Sequence, residues 1–297
     1  MNRRTTGLTT IFGLLLVVTL GGILYHHLTG YHYPASPAMN FEVNTLNDPY
    51  ELFFLVPAGL IGLRAMRKGS AWGPLLIAGV ATNFAYNYAM LVTGRQNLWI
   101  FLWTIKLALS GTAVCLVWDL LPSGPGHRSR PGLAVAVYLM VTFLAFSGMM
   151  GQRLLASATG RTMDMAMQRF GVLDWGEPFL RDPVVFFSLA LPVVITAILG
   201  LWRGTDWGGR AASLSSAWIV SIVSVILFTG PLKEYLQTGS VSPAMWRMSA
   251  IMVLAAAPAV WSLLWLAKGE RRPPARQATA CPRSKRSQAR PLNGLGH

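Results

Sequence analysis

Four polar side chains fall inside two long apolar stretches of the sequence. Asn83, Tyr86 and Asn87 are spaced by three and four residues, which places them on one face of a helix. Lys106 lies on the next stretch, about 12 Å from its nearer end at a rise of 1.5 Å per residue. Because the connection between the two stretches is short, they should be antiparallel neighbours. These four residues are our candidates for a ligand-binding site, and the ammonium group favours an anion.

Structural roles compete with this hypothesis. The stem of Lys106 can stay in lipid while its ammonium extends to the outer headgroups. The asparagines can join helices by hydrogen bonds worth on the order of 1 kcal/mol each. No acid lies in the central part of any predicted span, and Glu51 is assigned to the outer surface, so we expect Lys106 to lack a carboxylate partner. Amide and tyrosine side chains, water or an anionic ligand would then solvate it.

Histidines are concentrated at the end of the first apolar stretch. His26, His27 and His32 could bind a metal if they face Glu42, Asp48 or Glu51. His26 and His27 with Glu42 or Asp48 would also suit a membrane enzyme acting on a lipid-linked or external substrate. This alternative requires the side chains to converge in one pocket. Their spacing matches no recognised metal-ligand pattern, so we assign no metal.

Signatures of common enzyme classes are absent from the sequence. There is no Walker A loop, no Gly-rich dinucleotide turn, no Gly-x-Ser-x-Gly elbow and no His-Glu-x-x-His. Cys115 and Cys281 provide neither a disulfide framework nor a metal site. We therefore assign no cofactor and no catalytic residue, and we do not expect an enzyme.

The composition is that of an integral membrane protein. Of 297 residues, 53% are hydrophobic and only 12% are charged. The net charge of +14 does not indicate nucleic acid, because the basic residues lie between apolar stretches and in the tail. Each apolar stretch approaches the roughly 20 residues that a membrane-spanning helix needs. The predicted spans are 8–28, 50–66, 73–93, 98–121, 132–151, 183–202, 211–230 and 244–267.

Lys and Arg positions predict the orientation. Most of these residues fall on one side of the membrane if both termini are cytoplasmic, which is the distribution expected for a bacterial inner-membrane protein. Arg3 and Arg4 before the first span also suit a signal peptide. However, that span is longer than the apolar region of a typical signal peptide. The small residues suited to cleavage also come about ten residues beyond it. We therefore predict a retained helix.

An internal repeat divides the predicted helices into two halves. Asp48-Pro49 and the later Gly69 and Trp72-Gly73 recur about 135 residues further on, as Asp182-Pro183, Gly204 and Trp207-Gly208. Four spans would then match the next four in the same orientation, as in parallel-repeat transporters. The resulting divisions are a first half, 1–131, a second half, 132–267, and a tail, 268–297.

Two polar segments lie outside the predicted spans. The connection 152–182 contains Met163, Met167 and Phe170 at helical spacing, which predicts a surface helix, with a substrate lid as the alternative. The tail is rich in Pro, Arg, Ser and Gln, so we expect it to be disordered and to favour anionic lipid.

The region from Pro49 to Leu121 resembles a known group of proteins. Its features are the Arg-Lys-Gly-Ser turn at 67–70, Tyr86-Asn87-Tyr88, and Asn97-Leu98 leading into an aromatic run. These features are similar to those of uncharacterised multi-pass membrane proteins of bacteria and archaea, and 182–207 resembles the same group. The resemblance implies the architecture and no activity.

Three functions are compatible with this sequence. Transport or binding of a small anionic molecule between the two halves follows from the parallel repeat and Lys106. The membrane enzyme with an outer His and carboxylate site is the second. The third is a non-catalytic assembly or signalling component, in which the polar residues only join helices.

Overall fold

The protein is all-helical in the residues that its computed structural model describes, which are 3–29, 46–92, 98–124, 129–158 and 185–269. This confirms the all-helical part of the predicted fold class. The second helix contains a π-helical segment, Glu51–Leu55, and the sixth begins with another, Phe186–Ala190. The helices are α1 (Arg3–Thr29), α2 (Asp48–Arg67), α3 (Trp72–Val92), α4 (Leu98–Trp118), α5 (Arg130–Ala158), α6 (Phe186–Arg203), α7 (Asp206–Thr238) and α8 (Pro243–Gly269).

Within the described residues, stretches long and apolar enough to cross a membrane lie in seven of these helices, all but α3, whose side chains are described only over 72–89. Over residues 72–89, where its side chains are described, none is exposed, because α2, α4 and α7 pack around it. A helix enclosed by protein does not need a lipid-compatible surface.

The third and seventh helices join two groups of helices. In one group α3 packs between α2 and α4, and in the other α7 packs between α6 and α8. Gly79 faces Ala217, and four residues further along both helices Asn83 contacts Ser221. Because the residue numbers of the contacts increase in the same direction along both helices, α3 and α7 run parallel.

The first helices of the two groups pack differently. The main neighbour of α1 is α4, whereas that of α5 is α6. The two groups are therefore not superimposable copies in their outer helices.

Corresponding turns in the two groups share a glycine geometry. Gly69, after α2, and Gly204, after α6, have φ angles of 71° and 70°, a left-handed conformation that favours glycine. A Cβ added at Gly73 would overlap the backbone of Met66, and one at Gly208 would overlap that of Gly200. Both hairpins therefore depend on glycine for close helix approach.

Ion pairs tie three helices together at one end of the bundle, which we call the Arg4 end. Asp119, just beyond α4, accepts from Arg4 of α1 and from Arg210 of α7, the latter at 2.9 Å. Ser213 donates to the carbonyl of Pro122 at 3.0 Å. The opposite end, where α1 ends and α2 begins, is called the His27 end.

Candidate functional site

A buried charge cluster of Glu51, Tyr88 and Lys106 lies among the first four helices. Lys106 Nζ donates to Tyr88 Oη at 2.6 Å, and the hydroxyl lies 2.8 Å from each carboxylate oxygen of Glu51. The ammonium is 3.7 Å from Glu51 Oε2. All three side chains are buried, so the charges balance each other away from solvent.

The expectation that no acid reaches Lys106 is therefore wrong. Glu51 is three residues into α2 and Lys106 is eight residues into α4, an axial difference of about 7 Å that a lysine stem covers. The Lys106 side chain packs against α1 at Gly22, since a Cβ added to Gly22 would lie 3.7 Å from Lys106 Nζ. Lys106 extends towards the His27 end but stops at Glu51. Because Lys106 is paired with Glu51, its charge no longer gives a reason to expect an anionic ligand at this site.

A second acid and a histidine adjoin the cluster at the His27 end. Asp48 is buried one turn before Glu51, and its Oδ2 is 3.9 Å from His27 Nε2. The ring of His26 lies edge-on to that of His27, with centroids 5.1 Å apart. Glu42, the remaining candidate of the enzyme hypothesis, is outside the described residues, as is His32.

Metal ligands do not converge in the described part of the chain. It contains no group of three or more His, Cys, Asp or Glu side chains that could hold an ion. The enzyme hypothesis thus retains only the contact between His27 and Asp48.

A chain of amide and hydroxyl groups, the amide–serine chain, connects α3 with α7. Asn87 Nδ2 donates to Asn83 Oδ1 at 2.9 Å, and Asn83 Nδ2 donates to Ser221 Oγ at 2.9 Å. On the same side, Tyr50 Oη of α2 is 2.6 Å from Ser224 Oγ. Asn83 therefore binds α7 and Asn87 binds Asn83, so Asn83 has the interhelical role that competes with ligand binding.

A groove lies between α4 and α6, which make little or no contact with each other in the described residues. It is a cavity of about 230 Å³, with α3 and α7 as its floor. The rings of Tyr86 and Trp218 pack against each other there, 5.5 Å apart. Other lining residues are Thr82, Gly111, Ala190 and Val193. Tyr86 is thus the one predicted site residue that lines the groove; Lys106, Asn83 and Asn87 do not.

One polar atom at the groove is unsatisfied. Ser215 is among the lining residues, is 2% exposed, and its hydroxyl has no hydrogen-bond partner in the described structure. A buried hydroxyl without a partner is costly, which makes Ser215 a candidate contact for a ligand.

Several site residues were missed by the sequence reasoning. From the sequence, Glu51 is assigned to the outer surface and Tyr88 is named only in the resemblance, so neither is predicted to contact Lys106. One signal was available: Asp48 and Glu51 are three residues apart and so share a helix face. Ser215 and Ser221 carry no such signal, because serine is common in tightly packed membrane helices.

No protein-family model, curated protein or solved structure matches this chain. The resemblance to uncharacterised membrane proteins remains a prediction. The function must therefore be argued from the geometry of the charge cluster, the amide–serine chain and the groove.

Proposed function

We propose that this protein is an integral membrane protein of a bacterial inner membrane that binds a small apolar molecule in the groove between two four-helix halves. The groove is the observation that carries the proposal. Two of its walls belong to the first half, α3 and α4, and two to the second, α6 and α7. It is therefore the site at which a ligand would contact both halves.

The proposed topology has eight transmembrane helices, two parallel halves and cytoplasmic termini. The parallel contact of α3 with α7 supports it, as do the matching π-helical segments, 51–55 and 186–190. Each of these is followed two residues later by a proline, Pro57 or Pro192. Arg64, Arg67 and Lys68 lie at the Arg4 end, and positive residues favour the cytoplasmic side.

The size and lining of the groove indicate its ligand class. An apolar cavity of about 150 Å³ stays dry and binds benzene, and this groove, at about 230 Å³, is larger. Its flanking helices α4 and α6 are both apolar enough to span a membrane, so its open side faces hydrocarbon. We infer that the ligand enters laterally from the bilayer and carries a single hydrogen-bonding group for Ser215.

The charge of the groove argues against an anionic ligand. Among the described residues, no charged side chain lines it. Lys106, the cation of the predicted site, is held by Glu51 and Tyr88. An anion in the groove would thus be buried without a counter-charge.

Photo-crosslinking in nanodiscs tests this proposal. A fatty acid or fatty alcohol with a diazirine on its chain is irradiated with the protein, and the labelled peptides are mapped by mass spectrometry. We expect labelling to concentrate near Gly111 of α4 and Val193 of α6, and excess unlabelled lipid to suppress it.

A groove-filling variant supplies the control. No atom of the described residues lies within 4 Å of a Cβ added at Gly111, so Gly111→Phe can place its ring in the groove and should abolish that labelling. Gly21→Phe, at an exposed glycine of α1 that also has open space, should leave it unchanged. Labelling spread evenly over the lipid-facing helices, or insensitive to Gly111→Phe, would overturn the proposal.

A further inference from the structure

Four ionisable side chains form a series from the His27 end into the bundle. Exposure falls sharply along it: the side chain of His27 is 54% exposed, Asp48 7%, Glu51 6% and Lys106 5%. None of these groups lines the groove. The series therefore connects the surface with the charge cluster and is separate from the proposed ligand site.

The series is spaced for proton transfer. His27 Nε2 is 3.9 Å from Asp48 Oδ2, a gap that a small side-chain movement or one water molecule can close. Asp48 and Glu51 are three residues apart and occupy one face of α2, which places their Cβ atoms about 5–6 Å apart. Glu51 is already hydrogen-bonded to Tyr88, which accepts from Lys106.

The buried part of the series has an unbalanced charge. Two carboxylates, Asp48 and Glu51, accompany one ammonium, Lys106, so their sum is negative when both acids are ionised. Among the described residues, the nearby groups are the titratable His26 of α1, Tyr50 of α2 and Tyr88 of α3, and the hydroxyls of Ser221 and Ser224 of α7, none of which carries a permanent charge. One bound proton neutralises the set, and neutrality is favoured away from water.

We propose that Asp48 and Glu51 share a protonation site that takes up protons from the His27 end of the bundle through His27. A proton from water binds the His27 ring at Nδ1, and the proton on Nε2 passes to Asp48 Oδ2. Asp48 then gives its proton to Glu51 and returns to the carboxylate form. Only N–H and O–H bonds form and break. In the product Glu51 is neutral, and the Asp48 carboxylate balances the charge of Lys106.

Infrared difference spectroscopy in an ester-free detergent tests this directly. A drop in pH should produce the C=O band of a carboxylic acid. Carbon-13 labelling of glutamate should shift the Glu51 part of that band, and Glu51→Gln should remove it. The shift in labelled wild-type protein identifies the group even if Glu51→Gln fails to fold.

Rapid pH-jump measurements of the same band test the route. We expect His27→Gln to slow its appearance by about tenfold or more, and free imidazole to restore the rate. Leu28→Gln introduces the same side chain at the adjacent exposed residue and should leave the rate unchanged. A band that does not respond to pH, or one that appears as fast in His27→Gln as in wild type, would overturn the proposal. Neither result depends on ligand binding in the groove.

Discussion

The Tyr88 hydroxyl lies 2.8 Å from both carboxylate oxygens of Glu51 and accepts a hydrogen bond from Lys106 at 2.6 Å. A hydroxyl has one proton to donate, so it can satisfy one oxygen at a time while its lone pairs receive the ammonium. The cluster is thus a hydrogen-bonded triad in which tyrosine mediates between the charges. Three helices contribute one member each, so the triad also fixes α2, α3 and α4 relative to one another.

Removing the carboxylate charge should destabilise the protein. Glu51→Gln removes the carboxylate that pairs with the Lys106 ammonium, and losing one partner of a buried pair costs about 3–5 kcal/mol. Adding Lys106→Met should recover most of this loss, because the ammonium that lost its partner is then removed as well. Thermal and denaturant unfolding in detergent measure both effects. A Glu51→Gln variant as stable as wild type would contradict the buried ion pair.

The hydrogen bond between Asn83 and Ser221 should have a measurable coupling energy. A double-mutant cycle with Asn83→Ala and Ser221→Ala is expected to give about 0.6 kcal/mol, the average for such bonds between membrane helices. Ser110 is the control, since its hydroxyl is buried but bonds the carbonyl of Leu107 in its own helix. A cycle of Asn83→Ala with Ser110→Ala should show no coupling, and an uncoupled Asn83 and Ser221 would refute the contact.

Alanine at the hairpin glycines should be destabilising. Gly73→Ala and Gly208→Ala each place a methyl group into the backbone of the preceding helix, an overpacking that costs about 1–3 kcal/mol or more. Gly21→Ala has open space and should change the unfolding free energy by no more than about 0.5 kcal/mol. Equal effects at all three glycines would show that the hairpins are not closely packed.

Charge removal at the Arg4 end should have a small effect. Asp119 and Arg4 are both substantially exposed, so solvent screens their pairing. We expect Asp119→Asn to cost less than about 1 kcal/mol, and the difference from wild type to shrink as salt is added. Unfolding curves at low and high ionic strength make the comparison. A large, salt-independent loss would mean that Asp119 is shielded from solvent.

Reporter fusions test the proposed orientation. A fluorescent protein that matures only in the cytoplasm should be active when fused after Lys268. Alkaline phosphatase, which is active only outside, should be active when inserted at Gly239, between α7 and α8. The reverse pattern would place the termini outside.

Helix positions were predictable from the sequence because apolar runs of membrane length are a local property. The run at 73–93 corresponds to Trp72–Val92, and that at 50–66 to Asp48–Arg67. The pairing of Glu51 with Lys106 was not predictable, because it depends on the axial offset between α2 and α4. Counting residues from the end of each predicted span gives the depth of a side chain in that span, but not the offset between two helices. The groove depends likewise on the lateral placement of α4 and α6, to which periodicity is insensitive.

The enclosure of α3 by its neighbours has a consequence for biosynthesis. The amides of Asn83 and Asn87 need hydrogen-bond partners in the membrane, since each unsatisfied amide in hydrocarbon costs free energy. The partners of α3, which are Glu51, Lys106 and Ser221, are supplied by helices made before and after it. Stable integration of α3 therefore has to await the synthesis of α4, and its final hydrogen bonds have to await α7. A nascent chain that ends at Val92 should be extracted from the membrane far more readily than one that ends at Thr238.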